Sequence, residues 1–321
     1  MVNGYSNRGL DVDLTKGTLQ TFSIPDEVLM RTLGGRGIGV HYFFREVPAR
    51  IDPLSLENVL VFAPGGLTGS LAPTSGRFSV TFKSPLTGTI ASANSGGFWG
   101  VSLKRSGFDV LIIRGRAAEP VLIRIGGGEP QIVPCRQLWG KSIPELFDQL
   151  SGQISKNARI IGIGPAGENG VLFSALINDR NRAAGRAGVG AVMGAKNLKA
   201  IVVEGRKQFP PADPDAYSAG VTQARKLIQA MPVTSQALTR LGTAGLVKLI
   251  HDHDMLPHRN FQDVSHRHED VAAVSGEALR KNLLVRSRSC FNCPVSCGRE
   301  TRVGDWSGEG PEYETVALLG P

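Results

Sequence analysis

The chain has 321 residues, more than one typical core needs and enough for two domains. Hydrophobic residues make up 41% and charged residues 20%, an ordinary globular balance, and no apolar run reaches the roughly 18 residues of a membrane span. The net charge of +8 comes from scattered Lys and Arg with no recognition motif, which argues against a nucleic-acid partner. It leaves two readings open: a solvated basic surface, or a counterpart to an anionic ligand or acidic protein. Met1-Val2-Asn3-Gly4-Tyr5 lacks a signal-peptide pattern, so a cytoplasmic protein is expected.

Residues 1–207 read as β-rich. Short apolar runs at Val59–Phe62, Arg77–Phe82, Val110–Ile113, Val121–Ile125 and Ala200–Val203, bounded mostly by Gly, Pro and Asn, predict strands. Three helices are predicted among them: Pro25–Leu33, Gly97–Gly107 and Ile143–Leu150. The 40 glycines cluster at a few places, which suits turns and close backbone approach. Residues 208–214 hold three prolines and read as a linker. Beyond it, Ala216–Met231 and Ser235–His251 predict helices, so 215–321 reads as a truncated, mainly helical domain. Neither an internal repeat nor a low-complexity tract is visible.

One glycine motif misleads. Gly162-Ile163-Gly164-Pro165-Ala166-Gly167 fits G-x-G-x-x-G and follows a strand-like run, as in a dinucleotide fold. A helix should open behind it, but another strand-like run, Val171–Ile177, follows Glu168-Asn169-Gly170. Pro165 also lacks the N–H a phosphate would need. A tight strand-to-strand turn is the expected reading.

Other motifs carry chemistry. Arg77, after the turn Ala72–Gly76, offers a planar fork of donors to a phosphate or a ring edge, though a plain surface Arg would look the same. Ala91–Gly97, with Asn94 and Gly96, precedes a predicted helix whose N–H groups and dipole would suit an anion; an ordinary helix cap is the alternative. Asn181–Gly190, with Arg182, Ala183 and Arg186 among its glycines, reads as a basic anion nest. Three of the four cysteines fall in Cys290-Phe291-Asn292-Cys293-Pro294-Val295-Ser296-Cys297, a spacing for an iron–sulfur cluster or zinc rather than a disulfide framework. Either metal needs a fourth ligand, and 298–321 contains neither Cys nor His. Cys135 reads as an inert buried thiol, and His266 and His268 are remote zinc completers. Glu312 and Glu314, two residues apart, cannot share a face, so at most one is expected to act as a proton acceptor near a metal.

In this order the motifs resemble the aldehyde ferredoxin oxidoreductase family of tungsten enzymes. The matching stretches begin with Leu33–Gly37, Asp52–Asn58, Gly66–Gly69, Ala72–Arg77, Lys83–Gly88 and Ala93–Gly97. They continue with Ile163–Asn169, Arg182–Arg186, Gly188–Gly194, Lys196–Ala200, the cysteine triplet and Pro311–Glu314, nearly end to end. The resemblance implies an α+β chain: a first domain of two β-sheets as the base under a tungsten (or molybdenum) bis-pterin, then a mainly helical partial domain. By motif match, Arg77, Asn94, Gly96, Arg182 and Ala183 would contact the pterins and their phosphates. Backbone carbonyls of Asn94 and Ala183 would help place a magnesium ion bridging those phosphates. Cys290, Cys293 and Cys297 would hold three corners of a [4Fe–4S] cluster, and Glu314 matches the active-site glutamate.

The implied reaction oxidises an aldehyde to a carboxylic acid and passes electrons through the cluster to ferredoxin. Family members are much longer than this chain, and their further helical domain supplies the fourth cluster cysteine and much of the substrate pocket. A C-terminal-half polypeptide is therefore an expected partner, and assembly with a second copy stays open. Two other readings remain: a pterin-binding fragment or split-enzyme subunit without turnover, and a zinc-stabilised structural protein.

Overall fold

A computed structural model of the chain describes residues 2–264 and 268–319. It falls into two compact units, Met1–Pro214 and Asp215–Pro321.

The first unit is built on two sheets. One holds β1 (Arg8–Asp13), β2 (Thr18–Ser23), β3 (Leu60–Pro64), β4 (Phe78–Lys83), β5 (Ile90–Ser95) and β6 (Val110–Arg114), in the order β2-β1-β6-β3-β4-β5. The other holds β7 (Val121–Ile125), β8 (Gln131–Pro134), β9 (Arg159–Gly162), β10 (Leu176–Asn178), β11 (Arg182–Ala184) and β12 (Leu198–Val203), in the order β8-β7-β12-β9-β10-β11. The second order is the first with every strand number raised by six. In both sheets the parallel pair joins the first and last strand, β1 with β6 and β7 with β12, and every other pair is antiparallel. The unit is thus a topological duplication that the residues themselves do not display. Single hydrogen bonds repeat too: Ile24 N–H donates to the Asn7 carbonyl at 2.9 Å, and Cys135 N–H to the Pro120 carbonyl at 2.8 Å. What repeats is a pattern of pairing and burial, which many apolar residues satisfy, so the sequence was free to diverge.

Strand alternation sorts the cores. Leu60 and Phe62 of β3, Leu111 and Ile113 of β6, and Val121, Ile123 and Ile125 of β7 enter one core shared by both sheets. Their alternates Val61, Val110 and Ile112 face α1 (Asp26–Thr32) and α2 (Gly35–Glu46) on the outside of the first sheet. Between β5 and β6 runs α3 (Trp99–Arg105), whose Trp99 and Leu103 fill the shared core. Leu122, Ala200 and Val202 face α4 (Ile143–Ser151) outside the second sheet. Two further helices follow, α5 (Pro165–Glu168) and α6 (Val189–Ala195). Sheets covered on both faces need near-continuous apolar strands, which is why β3 and β12 are buried at every residue.

Two local expectations change. The α2 helix escapes sequence reading because its glycines look like turn formers. They serve packing: a Cβ on Gly39 would come within 2.3 Å of the Thr81 hydroxyl on the sheet beneath. The Gly162–Gly167 motif does open a helix, the single turn α5, and of the predicted Val171–Ile177 run only Leu176 and Ile177 pair as strand, within β10. Pro165 is suited to the first helical position, and Asn169 Nδ2 donates back to its carbonyl at 2.8 Å.

The second unit holds α7 (Pro214–Ala230), α8 (Leu238–Leu241), α9 (Leu246–His251), α10 (His268–Ala273), α11 (Gly276–Asn282) and α12 (Tyr313–Leu319). The helix expected over Ser235–His251 is broken at Gly242, whose φ of 68° only glycine adopts freely. Val247, Leu256, Val271 and Val316 form a small core. An antiparallel sheet in the order β13-β14-β15 also appears, from β13 (Leu284–Arg288), β14 (Gly298–Val303) and β15 (Trp306–Glu309). The cysteine triplet lies in the connection between β13 and β14. His266 and the side chain of His268 lie outside the described residues.

Candidate functional site

In the first unit, a cavity of about 540 Å³ opens where the β3–β4 connection meets the start of α2. That volume suits a small-molecule ligand. Its lining includes Gly35, Arg36, Thr74, Ser75, Arg77 and Asn94. Arg77 stands just before β4 and Asn94 lies on β5 opposite Ser79, so the antiparallel register sets them side by side. The Arg77 guanidinium donates to Asn94 Oδ1, which leaves further donors of the fork for a ligand. Thr74 holds φ of 62°, an unusual backbone for a β-branched residue and a mark of a constrained rim. Arg36 is exposed and has no partner among the described residues. Its residue type alone does not mark it as a site residue, although Leu33-Gly34-Gly35-Arg36-Gly37 is among the resembling stretches.

The edge strands of the two sheets, β5 and β11, come together beside this cavity. Asn178 Nδ2 donates to the Gly96 carbonyl at 2.9 Å. The Asp179 carboxylate accepts the N–H groups of Phe98 and Trp99 at 2.6 and 3.1 Å. The N-terminus of α3, expected to be open to an anionic ligand, is therefore already occupied by the chain's own carboxylate, a favourable position against the helix dipole. Gly97 makes this approach possible, since a Cβ there would lie 2.4 Å from Asp179 Oδ2 and 3.3 Å from Arg182 Cγ. Arg182 is half-buried and Ala183 exposed on β11, while Gly96 is buried. The structure thus brings Arg77, Asn94, Gly96, Arg182 and Ala183 to one junction. Arg186 lies beyond it and is exposed. Nothing in the sequence singles out Asn178 and Asp179, because their role exists only once the two edges meet.

Cys135 is fully buried in the core under α4, and burial pushes its thiol up to about 12. It offers no thiolate to a metal near neutral pH.

In the second unit, Cys290, Cys293 and Cys297 are half-buried on one loop. Cys293 N–H closes a turn on the Cys290 carbonyl at 3.2 Å, and Asn292 and Ser296 take left-handed backbone that wraps the chain tightly. The Thr239 hydroxyl donates to the Val295 carbonyl at 3.0 Å, and Arg225 reaches Asn292 Oδ1 at 3.2 Å. Among the described residues no three His, Cys, Asp or Glu side chains converge on a single-ion position. A four-iron cluster makes a different demand, because each thiolate takes a separate corner of a cube. Arg299, two residues past Cys297, is 1% exposed. Burial lowers its pKa, opposed by Cys297 and Glu312 and reinforced by Arg280. The loop therefore combines three accessible thiols with a fixed buried cation, a donor set that fits a net-negative metal–thiolate group.

The two glutamates separate. Glu312 accepts from the Thr243 hydroxyl at 2.7 Å, and that same oxygen accepts Tyr313 N–H at 2.9 Å, tying down the start of α12. Glu314 sits on the first turn of α12 and is exposed.

The chain matches the profile "Aldehyde ferredoxin oxidoreductase, N-terminal domain" over residues 9–205 and "Aldehyde ferredoxin oxidoreductase, domains 2 & 3" over 219–321. It is 43% identical over 321 residues to a tungsten-containing aldehyde ferredoxin oxidoreductase of Pyrococcus horikoshii, covering 99% of this chain and 52% of the relative. It is 30% identical to an aliphatic sulfonate oxidoreductase, WOR-like subunit, of Pyrococcus furiosus, covering 98% of this chain and 53% of that one. Among solved structures, the active-site complex BamBC of benzoyl coenzyme A reductase, in complex with 1,5-dienoyl-CoA, superimposes with a TM-score of 0.85 at 29% identity. That match covers 98% of this chain and 50% of the other. The chain spans about half the length of these relatives. Matched by these profiles over most of its length, the chain belongs to the aldehyde ferredoxin oxidoreductase family.

Proposed function

We propose that this chain is the pterin-cradling and cluster-bearing part of a tungsten aldehyde:ferredoxin oxidoreductase. The observation that carries the reading is the junction of β5 and β11, where one sheet delivers Arg77 and Asn94 and the other Arg182 and Ala183. Two equivalent sheets meeting at their edges suit a ligand with two similar halves, and a bis-pterin is such a ligand. Arg77 and Arg182 would bind phosphates or ring edges through their guanidinium forks, with Arg36 as a further donor on the cavity rim. Buried Gly96 would leave room for close approach, and the carbonyls of Asn94 and Ala183 would help hold a bridging magnesium ion. Cys290, Cys293 and Cys297 would ligate a [4Fe–4S] cluster whose fourth ligand comes from a C-terminal-half polypeptide.

When bound, the tungsten centre and the cluster would supply the two-electron redox chemistry of aldehyde oxidation and its electron exit. Aldehyde and water then give carboxylic acid, two protons and two electrons. Glu314 is the residue we assign to take a proton, and ferredoxin the acceptor of the electrons. A cytoplasmic location belongs to the same reading, since free thiols awaiting a cluster need a reducing compartment.

The test is elemental analysis of anaerobically purified chain. Tungsten or molybdenum together with iron and magnesium is expected, and zinc alone would sink the proposal. Addition of the C-terminal half should then give aldehyde-dependent viologen reduction, which Glu314→Gln should abolish while leaving metal content unchanged.

A further inference from the structure

Among the described residues Arg299 is the largest buried charged side chain, and no carboxylate forms an ion pair with it; Glu312 acts on its charge only through space. Its Nη1 donates to the Ser296 carbonyl at 2.9 Å, the Gly298 carbonyl at 2.9 Å and the Ser287 hydroxyl at 3.0 Å. Its Nη2 donates to the carbonyls of Leu238 and Thr239 at 2.7 and 2.8 Å. Nε is buried and makes no hydrogen bond. Among the described residues no ion pair involves it, and the carbonyls that hold it are dipoles, not charges.

Other buried cations in the chain behave differently. Lys104 pairs with Asp109, and Lys199 with Glu168. Lys196, which has no ion-paired carboxylate, is a lysine that can shed its charge, and burial brings it down to about 7. An arginine cannot neutralise itself in this way at physiological pH. A fixed buried charge with no directly paired counter-charge is unfavourable unless an anion belongs beside it.

The backbone shows where that anion would sit. Two of the five acceptors, the carbonyls of Ser296 and Gly298, flank Cys297 on either side. Gly242, at φ 68°, makes room for the arrangement: a Cβ there would lie 2.9 Å from the Cys297 carbonyl and 3.0 Å from Arg299 Nε. The guanidinium therefore clamps α8, β13 and the Cys297 turn together and places its charge beside that turn.

We infer that Arg299 is a positioning residue that fixes the Cys297 turn and, by its buried charge, raises the reduction potential of the iron–sulfur cluster. The inference rests on the cluster reading given above. A positive charge in a low-dielectric setting favours the more negative, reduced cluster, so its loss moves the potential downward.

The experiment uses the full chain, reconstituted anaerobically with ferrous iron and sulfide, in wild-type, Arg299→Lys and Arg299→Gln forms. Iron per chain, the midpoint potential by EPR-monitored titration and the circular-dichroism melt are measured on each. Arg299→Gln is expected to shift the potential to more negative values, whereas Arg299→Lys keeps it at the wild-type value while losing iron faster to a chelator. Equal potentials in wild type and Arg299→Gln, or equal downward shifts in both variants, would overturn the inference. If Arg299→Gln does not fold, Arg299→Lys decides alone: a potential displaced from wild type overturns the charge assignment. A wild-type chain that takes up no iron defeats the cluster reading itself and this inference with it, a result recognisable before any variant is made.

Discussion

The two halves of the first unit share one topology and use it in opposite ways. After β3, the first half sends a connection through residues 65–77 that surrounds an open cavity. After β9, the second half sends an equally long connection through 163–175, and it closes over itself. There α5 presses against α6 so tightly that a Cβ on Gly194 would sit 2.0 Å from the Gly167 carbonyl. Lys199 and Glu168 form an ion pair beneath, with side chains 0% and 3% exposed. The first half makes room in this loop, and the second half packs the equivalent loop into a solid wall. A fold alone thus does not define a site; what fills the equivalent loop does.

The largest effect that would break this contrast lies in the wall. Lys199→Ala leaves Glu168 buried with only the Gly140 N–H, 2.8 Å away, and should cost about 3–5 kcal/mol in denaturant unfolding. The double variant Lys199→Met with Glu168→Gln should recover most of that loss. A single variant as stable as wild type would show that the second half is not closed by this pair. Gly194→Ala comes next. Its new Cβ meets backbone and cannot be accommodated by a rotamer change, so roughly 1–3 kcal/mol should be lost. A helix glycine of the open half gives the comparison: a Cβ on Gly100 in α3 would lie 2.9 Å from Phe78 Cβ, against 2.0 Å from the Gly167 carbonyl for Gly194, so Gly100→Ala should cost less.

The joint between the halves predicts a smaller change in stability with a larger functional consequence. Asp179→Ala removes the acceptor of two N–H groups at the start of α3 and should cost about 1–2 kcal/mol. Asp179→Asn should fold nearly as well, because Asn tolerates the left-handed backbone at φ 49°. If the β5–β11 junction holds the cofactor, Asp179→Ala should also lower tungsten content, read by elemental analysis at a temperature where the protein stays folded. Unchanged tungsten content would separate the joint from cofactor binding.

The same contrast explains what the sequence could and could not reveal. The central strands were legible because both faces of each sheet are covered, leaving unbroken runs such as Val110–Ile113 and Val121–Ile125. The short strands β10 and β11 were not, since three residues each carry no period. The α2 helix was hidden by glycines that serve close packing, and α5 by a motif too short to show helical spacing. At the site, Arg77, Arg182 and the cysteine triplet announce themselves by residue type. Arg36, Asp179 and Arg299 do not, because an exposed rim arginine, an occupied helix terminus and a buried charge without an ion-pair partner are properties of tertiary placement alone.

Cys135 gives the finest test of the duplication. It follows β8 as Ile24 follows β2, each is buried, and each donates its N–H to the residue before the first strand of its half. By this equivalence the sulfur is an apolar plug and not a ligand, which agrees with a thiol held up to about 12 by burial. A thiol whose folded pKa lies above its unfolded value keeps its proton in the native state. Its contribution is therefore complete below the unfolded pKa and is lost as pH rises from there toward the folded value. Cys135→Val should change stability by under about 1 kcal/mol, leave iron uptake unchanged and abolish that alkaline loss. Native protein at pH 8 should alkylate at Cys290, Cys293 and Cys297 long before Cys135, with mass spectrometry reading the order. Iron lost from Cys135→Val would mean that the second half has turned its copy of Ile24 to a purpose the first half never had.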